Sequence, residues 1–290
     1  MSIHPAIEEM LAAYSCERDQ DYLNALREIM QSIALLAFSR TDFFQHGAFY
    51  GGTALRILYG LNRGSEDMDF TLLQREEDFD LGTFASALQT EFSAWGLHAT
   101  FDRKNKTNAT NIQSGFLKSN TQTQLLSIGL DQALARHFHP KSEIKIKLEV
   151  DVHPPVGIAT QMCYIYQPIP FAVRACTLPV LLAGKLHAVL FRNWQSRVKG
   201  RDWYDLLWYA GKHPEYDLCH LEARARQSGD YEDTKPMTAE TIQRLLAQRL
   251  ETLDLKSVKA DVQPFLRNPV EVSAWNKELF QDAFQRLKAT

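Results

Sequence analysis

No stretch of the sequence stays apolar long enough to cross a bilayer, and no excess of basic residues gives the chain a positive field. The formal net charge is −3, which excludes a protein held on nucleic acid by its overall charge and leaves such a partner to a local basic face. Cysteine is scarce. Cys16, Cys163, Cys176 and Cys219 stand far apart with no CxxC spacing, which fits reduced thiols in the cytoplasm better than a disulfide framework. The opening MSIHPAIEEMLAAYSCERDQ carries acids within its apolar run and no basic n-region, so it is not read as a signal peptide. Internal repeats and low-complexity segments are missing too, as are a GxxxxGK[ST] P-loop and the GxGxxG of dinucleotide folds.

What is present is an ordinary globular composition, 45% hydrophobic and 23% charged, in 290 residues, which favours two compact units or one large one. Helical periodicity opens the chain over Ala6 to Tyr14 and Asp21 to Ala37. Ala48 to Tyr50 reads as a short strand ending at Gly51-Gly52, followed by a helix from Thr53 to Tyr59 and a strand carrying Asp67 and Asp69. A helix is expected over Leu81 to Trp95, then strands over Leu97 to Arg103 and Thr110 to Leu117 around the polar turn KNKTN. In IKIKLEVDV, Lys145, Lys147, Glu149 and Asp151 alternate with apolar residues, so one face of that strand is wholly charged. One more strand is expected near Cys163 to Ile169, and from Leu178 onward helix follows helix. The fold class is therefore α/β (α+β). A mixed sheet with flanking helices fills residues 1–170, a helical domain fills 171–290, and the Pro-bearing stretch Pro168 to Pro179 links them.

In a strand, residues two apart share a face, so Asp67 and Asp69 project together. Carboxylates that close repel unless a cation lies between them, and oxygen-only ligands select a hard ion such as Mg²⁺ that completes its shell with substrate phosphates. A third acid, Asp151 or Glu149, would allow two ions about 4 Å apart, the arrangement that activates an attacking oxygen and stabilises a leaving one. Gly51-Gly52 followed by Thr53 opens a helix N-terminus whose N–H groups can bind phosphate, with Thr53 capping the helix or touching a phosphate oxygen. Lys145 and Lys147 beside the acids either bind triphosphate or neutralise them.

The run GGTALRILYG…RGSEDMDF resembles the nucleotidyltransferases of the DNA polymerase beta superfamily, and within it the AbiEii/AbiGii group of nucleotidyltransferase toxins, which read GGTAL, a Tyr, then R-x-S-x-D-x-D-F. Arg63, Ser65, Asp67, Asp69 and Phe70 match that order. A second block, LLAGKLHAVLFRNWQSRVKGRDWYDLLWYA, resembles the group's lysine-bearing helix followed by R-D-x-x-D. The resemblance implies that Lys185 is the active-site lysine, that Asp202 or Asp205 holds it or accepts a proton, and that Arg63 and Ser65 belong to the nucleotide site. Read structurally, RDWYDL is equally a helix start with Asp202 as N-cap. Arg192, Arg197 and Lys199, interleaved with Phe191 and Trp194, suit an RNA end or a solvated linker.

The implied activity is Mg²⁺-dependent transfer of NMP from an NTP to an RNA acceptor, with tRNA as the expected one. The implied setting is the toxin half of a toxin–antitoxin or phage-defence pair with a cognate antitoxin. A small-molecule acceptor, as in antibiotic-modifying nucleotidyltransferases, is the competing enzyme reading. A nucleotide- or partner-binding module without turnover is the competing reading of another class.

Overall fold

The alternation in IKIKLEVDV becomes β5 (Glu143–Asp151), whose Ile144, Ile146, Leu148 and Val150 are almost fully buried while Lys145, Lys147 and Glu149 face the other way. The computed structural model describes residues 4–104, 111–192 and 199–290 and divides the chain into two units. The first comprises residues 1–60, 64–154 and 161–175; the second comprises residues 61–63, 155–160 and 176–290. Most of KNKTN lies outside the described residues.

The first unit opens with α1 (Pro5–Ala12), α2 (Asp19–Ser39) and the single turn α3 (Phe43–His46). There follow β1 (Gly47–Tyr50), α4 (Gly51–Tyr59), β2 (Met68–Leu72), α5 (Ala85–Ala94), β3 (Thr100–Lys104) and β4 (Ile112–Asn120). Then come the short α6 (Thr121–Ser127) and α7 (Gln132–Ala135), β5, β6 (Thr160–Ile165) and β7 (Phe171–Cys176). The strands form a seven-stranded mixed sheet in the order β3-β4-β5-β2-β1-β7-β6. β2 runs parallel to β5, β1 runs antiparallel to β2, and β1 runs parallel to β7. The stretch expected to link the domains thus contributes a strand, β7, whose Phe171, Val173 and Ala175 are buried.

One face of the sheet closes on an aromatic core. Phe70 of β2 packs edge-on against Phe38 and Phe43, with ring centroids 5.3 and 5.0 Å away, and lies 5.3 Å from Phe49 of β1. These rings are essentially inaccessible to solvent, and each contributes about 1.5–3 kcal/mol of burial. α2 supplies Leu26, Ile29, Met30 and Ile33 from one stripe, and its start is fixed by Asp21, whose carboxylate accepts from the Arg18 N–H at 2.9 Å. The Asp67-x-Asp69 face is the opposite side of this same strand.

The second unit is helical, as expected: α8 (Leu178–Phe191), α9 (Gly200–Lys212), α10 (Leu218–Gln227), α11 (Ala239–Glu251), α12 (Leu255–Val262) and α13 (Lys277–Arg286). Pro179 sits in the first turn of α8, where its missing N–H costs nothing. A two-stranded ladder pairs Glu215–Tyr216 with Lys288–Ala289. α9 packs so closely on α12 that a Cβ on Gly200 would lie 2.0 Å from the Val258 carbonyl oxygen. Among the described residues no helix is long and apolar enough to cross a membrane.

Candidate active site

Strand β1 ends at Tyr50, which pairs with Asp69 across the ladder. The chain then turns directly into α4 through Gly51 at φ +77°, a left-handed conformation open to glycine. A Cβ on Gly51 would lie 2.3 Å from Asp69 Oδ2 and 2.9 Å from Asp69 Cβ. The glycine thus lets the backbone at the head of α4 close onto the Asp69 carboxylate, and the opening N–H groups of a helix have no acceptors within it. Tyr50 occupies the N-cap position without a side-chain cap, so the expected cap by Thr53 does not form. Thr53 is fully buried and hydrogen-bonds the Ser65 hydroxyl at 2.8 Å and the Asp67 carbonyl. Each hydroxyl has one proton, so Ser65 donates to Thr53 and Thr53 donates to the carbonyl. Those two bonds of the Thr53 hydroxyl thus run to the segment ahead of β2.

Asp67 lies one residue ahead of β2, and Asp69 lies within it. Register places Glu149 directly across from Asp69, and Asp151 across from Thr71. Glu149 is nearer in register, but its carboxylate is held by Lys147 at 2.7 Å and by the Ser114 hydroxyl at 3.3 Å. Lys147 and Glu149 thus pair on the charged face of β5. Asp151 is largely buried and accepts from the His153 N–H at 3.0 Å. Among the described residues no three His, Cys, Asp or Glu side chains converge as a metal cage, so the expected third acid is not gathered with Asp67 and Asp69. The donor set still fits a hard divalent cation, because Mg²⁺ is commonly held by one or two carboxylates plus substrate phosphates. Gly51 itself, having no Cβ, places no side chain between the helix head and the Asp69 carboxylate.

Gln31 escaped the sequence reading. It lies in α2, 1% exposed, and its amide nitrogen donates to the carbonyls of Ser65 at 3.1 Å and Glu66 at 3.3 Å. The available signal was an amide embedded in an apolar helical stretch, Ile29 to Ala37.

The second motif block folds within the helical unit. Asp202 and Asp205, three apart on α9, share one face, and Lys185 of α8 lies between them at 2.7 Å from Asp202 Oδ1 and 2.8 Å from Asp205 Oδ2. Arg63 completes the group: its Nε donates to Asp205 Oδ1 at 2.7 Å and its Nη2 to Oδ2 at 2.6 Å. This bidentate pair is almost wholly buried, with side chains 2% and 0% exposed. Arg63 is thus bound to Asp205 through two donors, and both Asp205 oxygens accept hydrogen bonds or ion pairs from Arg63 and Lys185. Asp202 differs. Its Oδ2 is buried without a hydrogen-bond partner. Burial pushes the Asp202 carboxyl up, but Lys185, Arg192 and Lys199 outweigh that and hold it at about 2. Burial likewise opposes the charge on Lys185, yet Asp202 and Asp205 keep its pKa above the ordinary value. The N-cap of α9 is Lys199, which leaves Asp202 in the first turn rather than at the cap, still favourable for a carboxylate.

Of the expected basic stretch, Trp194 and Arg197 lie outside the described residues. Arg201 stacks its guanidinium 4.1 Å from the Phe265 ring centre, and burial lowers the Lys199 pKa against the pull of Asp202.

Comparison with solved structures finds the nucleotidyltransferase toxin MenT4 of Mycobacterium tuberculosis H37Rv at a TM-score of 0.61 and 15% identity, covering 96% of this chain and 88% of that one. JHP933 from Helicobacter pylori aligns at a TM-score of 0.50 and 15% identity, covering 90% and 88%. At such identity the likeness concerns the fold. Comparison with curated proteins gives no match. A family profile described as nucleotidyl transferase AbiEii toxin, type IV TA system, matches residues 33–286, most of the chain and both motif blocks. With the Gly-Gly helix head, the Asp-x-Asp strand and the lysine-bearing helix all falling inside that span, the chain belongs to the AbiEii family of nucleotidyltransferase toxins of type IV toxin–antitoxin systems.

Proposed function

We propose that this toxin transfers NMP from an NTP to the end of an RNA, with tRNA as acceptor, in a Mg²⁺-dependent reaction opposed by a cognate antitoxin. The observation that carries the reading is the seat of Gly51 on the Asp69 carboxylate, which joins a phosphate-binding helix head to an acidic strand. The backbone N–H groups of Gly51 and Gly52 would bind triphosphate oxygens, and Asp67 and Asp69 would hold the divalent cation. That cation supplies charge neutralisation at the triphosphate and lowers the cost of ionising the acceptor hydroxyl. The acceptor oxygen forms a bond to the α-phosphorus, the bond to the bridging oxygen breaks, and pyrophosphate leaves. Such chemistry depends on positioning and charge, so the loss of one ligand carboxylate removes most of the rate.

The test is transfer of each α-phosphate-radiolabelled NTP to total cellular tRNA with Mg²⁺, by the wild type and by Asp67→Ala. Label on tRNA with the wild type alone is the expected result. Equal transfer by Asp67→Ala would overturn the assignment of the site, and transfer to no RNA would overturn the acceptor.

A further inference from the structure

Ser65, Glu66 and Asp67 adopt no regular secondary structure, yet their three successive carbonyls are all held by side chains from elsewhere in the same unit. The Gln31 amide spans the carbonyls of Ser65 and Glu66, reaching 34 and 35 residues along the chain. Thr53 donates to the third carbonyl, that of Asp67, and accepts a hydrogen bond from the Ser65 hydroxyl. Both residues are at most 1% exposed. Burying a primary amide within an apolar helix face is costly unless its donors are satisfied, and a methionine of similar shape would fill the same space without that cost. What methionine cannot do is fix two carbonyls.

We infer that Gln31 and Thr53 are positioning residues of the nucleotidyltransferase site. They lock the backbone immediately ahead of β2 and thereby aim the Asp67 carboxylate beside Asp69. The inference rests on the reading of Asp67 as a metal-holding carboxylate. A residue that supports a ligand in this way typically changes metal affinity by about 10–100-fold when its hydrogen bond is removed. One that merely fills the core changes stability and leaves metal affinity alone.

The experiment compares Gln31→Met, which keeps the volume and loses the donors, with Thr53→Val, which keeps the shape and loses the hydroxyl. Thr53→Ser restores the hydroxyl, and Asp67→Asn serves as the reference. Mn²⁺ binding to each protein without nucleotide is measured by titration calorimetry, and kcat and KM for the NTP are measured alongside. The expected result is weaker Mn²⁺ binding by about 10–100-fold and a lower kcat for Gln31→Met and Thr53→Val, with both restored in Thr53→Ser. Wild-type Mn²⁺ affinity in folded Gln31→Met and Thr53→Val, beside a loss in Asp67→Asn, overturns the positioning role alone. Wild-type affinity in Asp67→Asn overturns the metal reading and the inference with it. If Gln31→Met fails to fold, the contrast between Thr53→Val and Thr53→Ser decides.

Discussion

Replacing Gly51 by alanine adds one methyl group at the point where the helix head meets the acidic strand. Two costs follow, and they can be separated. The first is conformational: at φ +77° an L-residue loses about 1 kcal/mol to the contact between its Cβ and the backbone. The second is a collision, because the new carbon would stand 2.3 Å from Asp69 Oδ2, whereas ordinary contact begins near 3.4 Å, so helix and carboxylate must part by about 1 Å. A 1 Å misplacement costs about a hundredfold in rate, or about 2.7 kcal/mol of transition-state stabilisation. Gly60 at the other end of α4 provides the control. Its φ is +71°, so alanine there meets the same backbone cost, but a Cβ would touch nothing within 4 Å. Urea unfolding should show the backbone cost in both variants with the collision adding to it in Gly51→Ala, while NMP transfer should fall about a hundredfold in Gly51→Ala alone. If Gly51→Ala turns over as fast as Gly60→Ala, the close seat on Asp69 has no part in catalysis and the argument from it fails.

Two further outcomes follow from the ion cluster of the helical unit. Asp205→Asn leaves Arg63 buried opposite a neutral amide, and breaking a buried pair in this way should cost about 3–5 kcal/mol in urea unfolding; a loss below about 1 kcal/mol, typical of a surface pair, would contradict the geometry. Asp202 carries a pH signature. Its folded value, about 2, lies below the ordinary 3.8, so its contribution to stability is complete above that ordinary value and is lost as the pH falls toward 2. Asp202→Asn should therefore flatten the acid limb of the stability curve between about pH 4 and 2, and an unchanged limb would remove Lys185 from its assigned role as partner.

The sequence made the acidic strand legible because two local periodicities coincided there. IKIKLEVDV alternates so strictly that its charged face needs no tertiary information, and Gly-Gly before a helix with Asp-x-Asp after it is a short-range pattern. β7 was hidden by the prolines on either side of it, which read as a linker although Phe171, Val173 and Ala175 alternate as a strand requires. The motif match placed Arg63 at the nucleotide; its bidentate bond to Asp205, 142 residues along the chain, is a contact no local pattern spans. Asp202 and Asp205 were equivalent in sequence, since residues three apart share a helix face. Only the tally of bonds at each oxygen separates them. Gln31 went unmarked, because the carbonyls that explain its place in an apolar helix lie 34 and 35 residues along the chain.

Residues 61–63 have a consequence for the modularity of the chain. They group with the helical unit, although the sequence on both sides of them belongs to the sheet unit. A fragment beginning at residue 176 would contain Lys185, Asp202 and Asp205 but not the guanidinium that Asp205 requires. Asp205 would then keep Lys185 but lose its bidentate partner, leaving a buried carboxylate without the donors that Arg63 provides. The helical half is therefore not a cassette that recombination could graft onto another catalytic sheet at a single crossover. An exchange that also carried residues 61–63 would keep the buried Arg63–Asp205 pair intact.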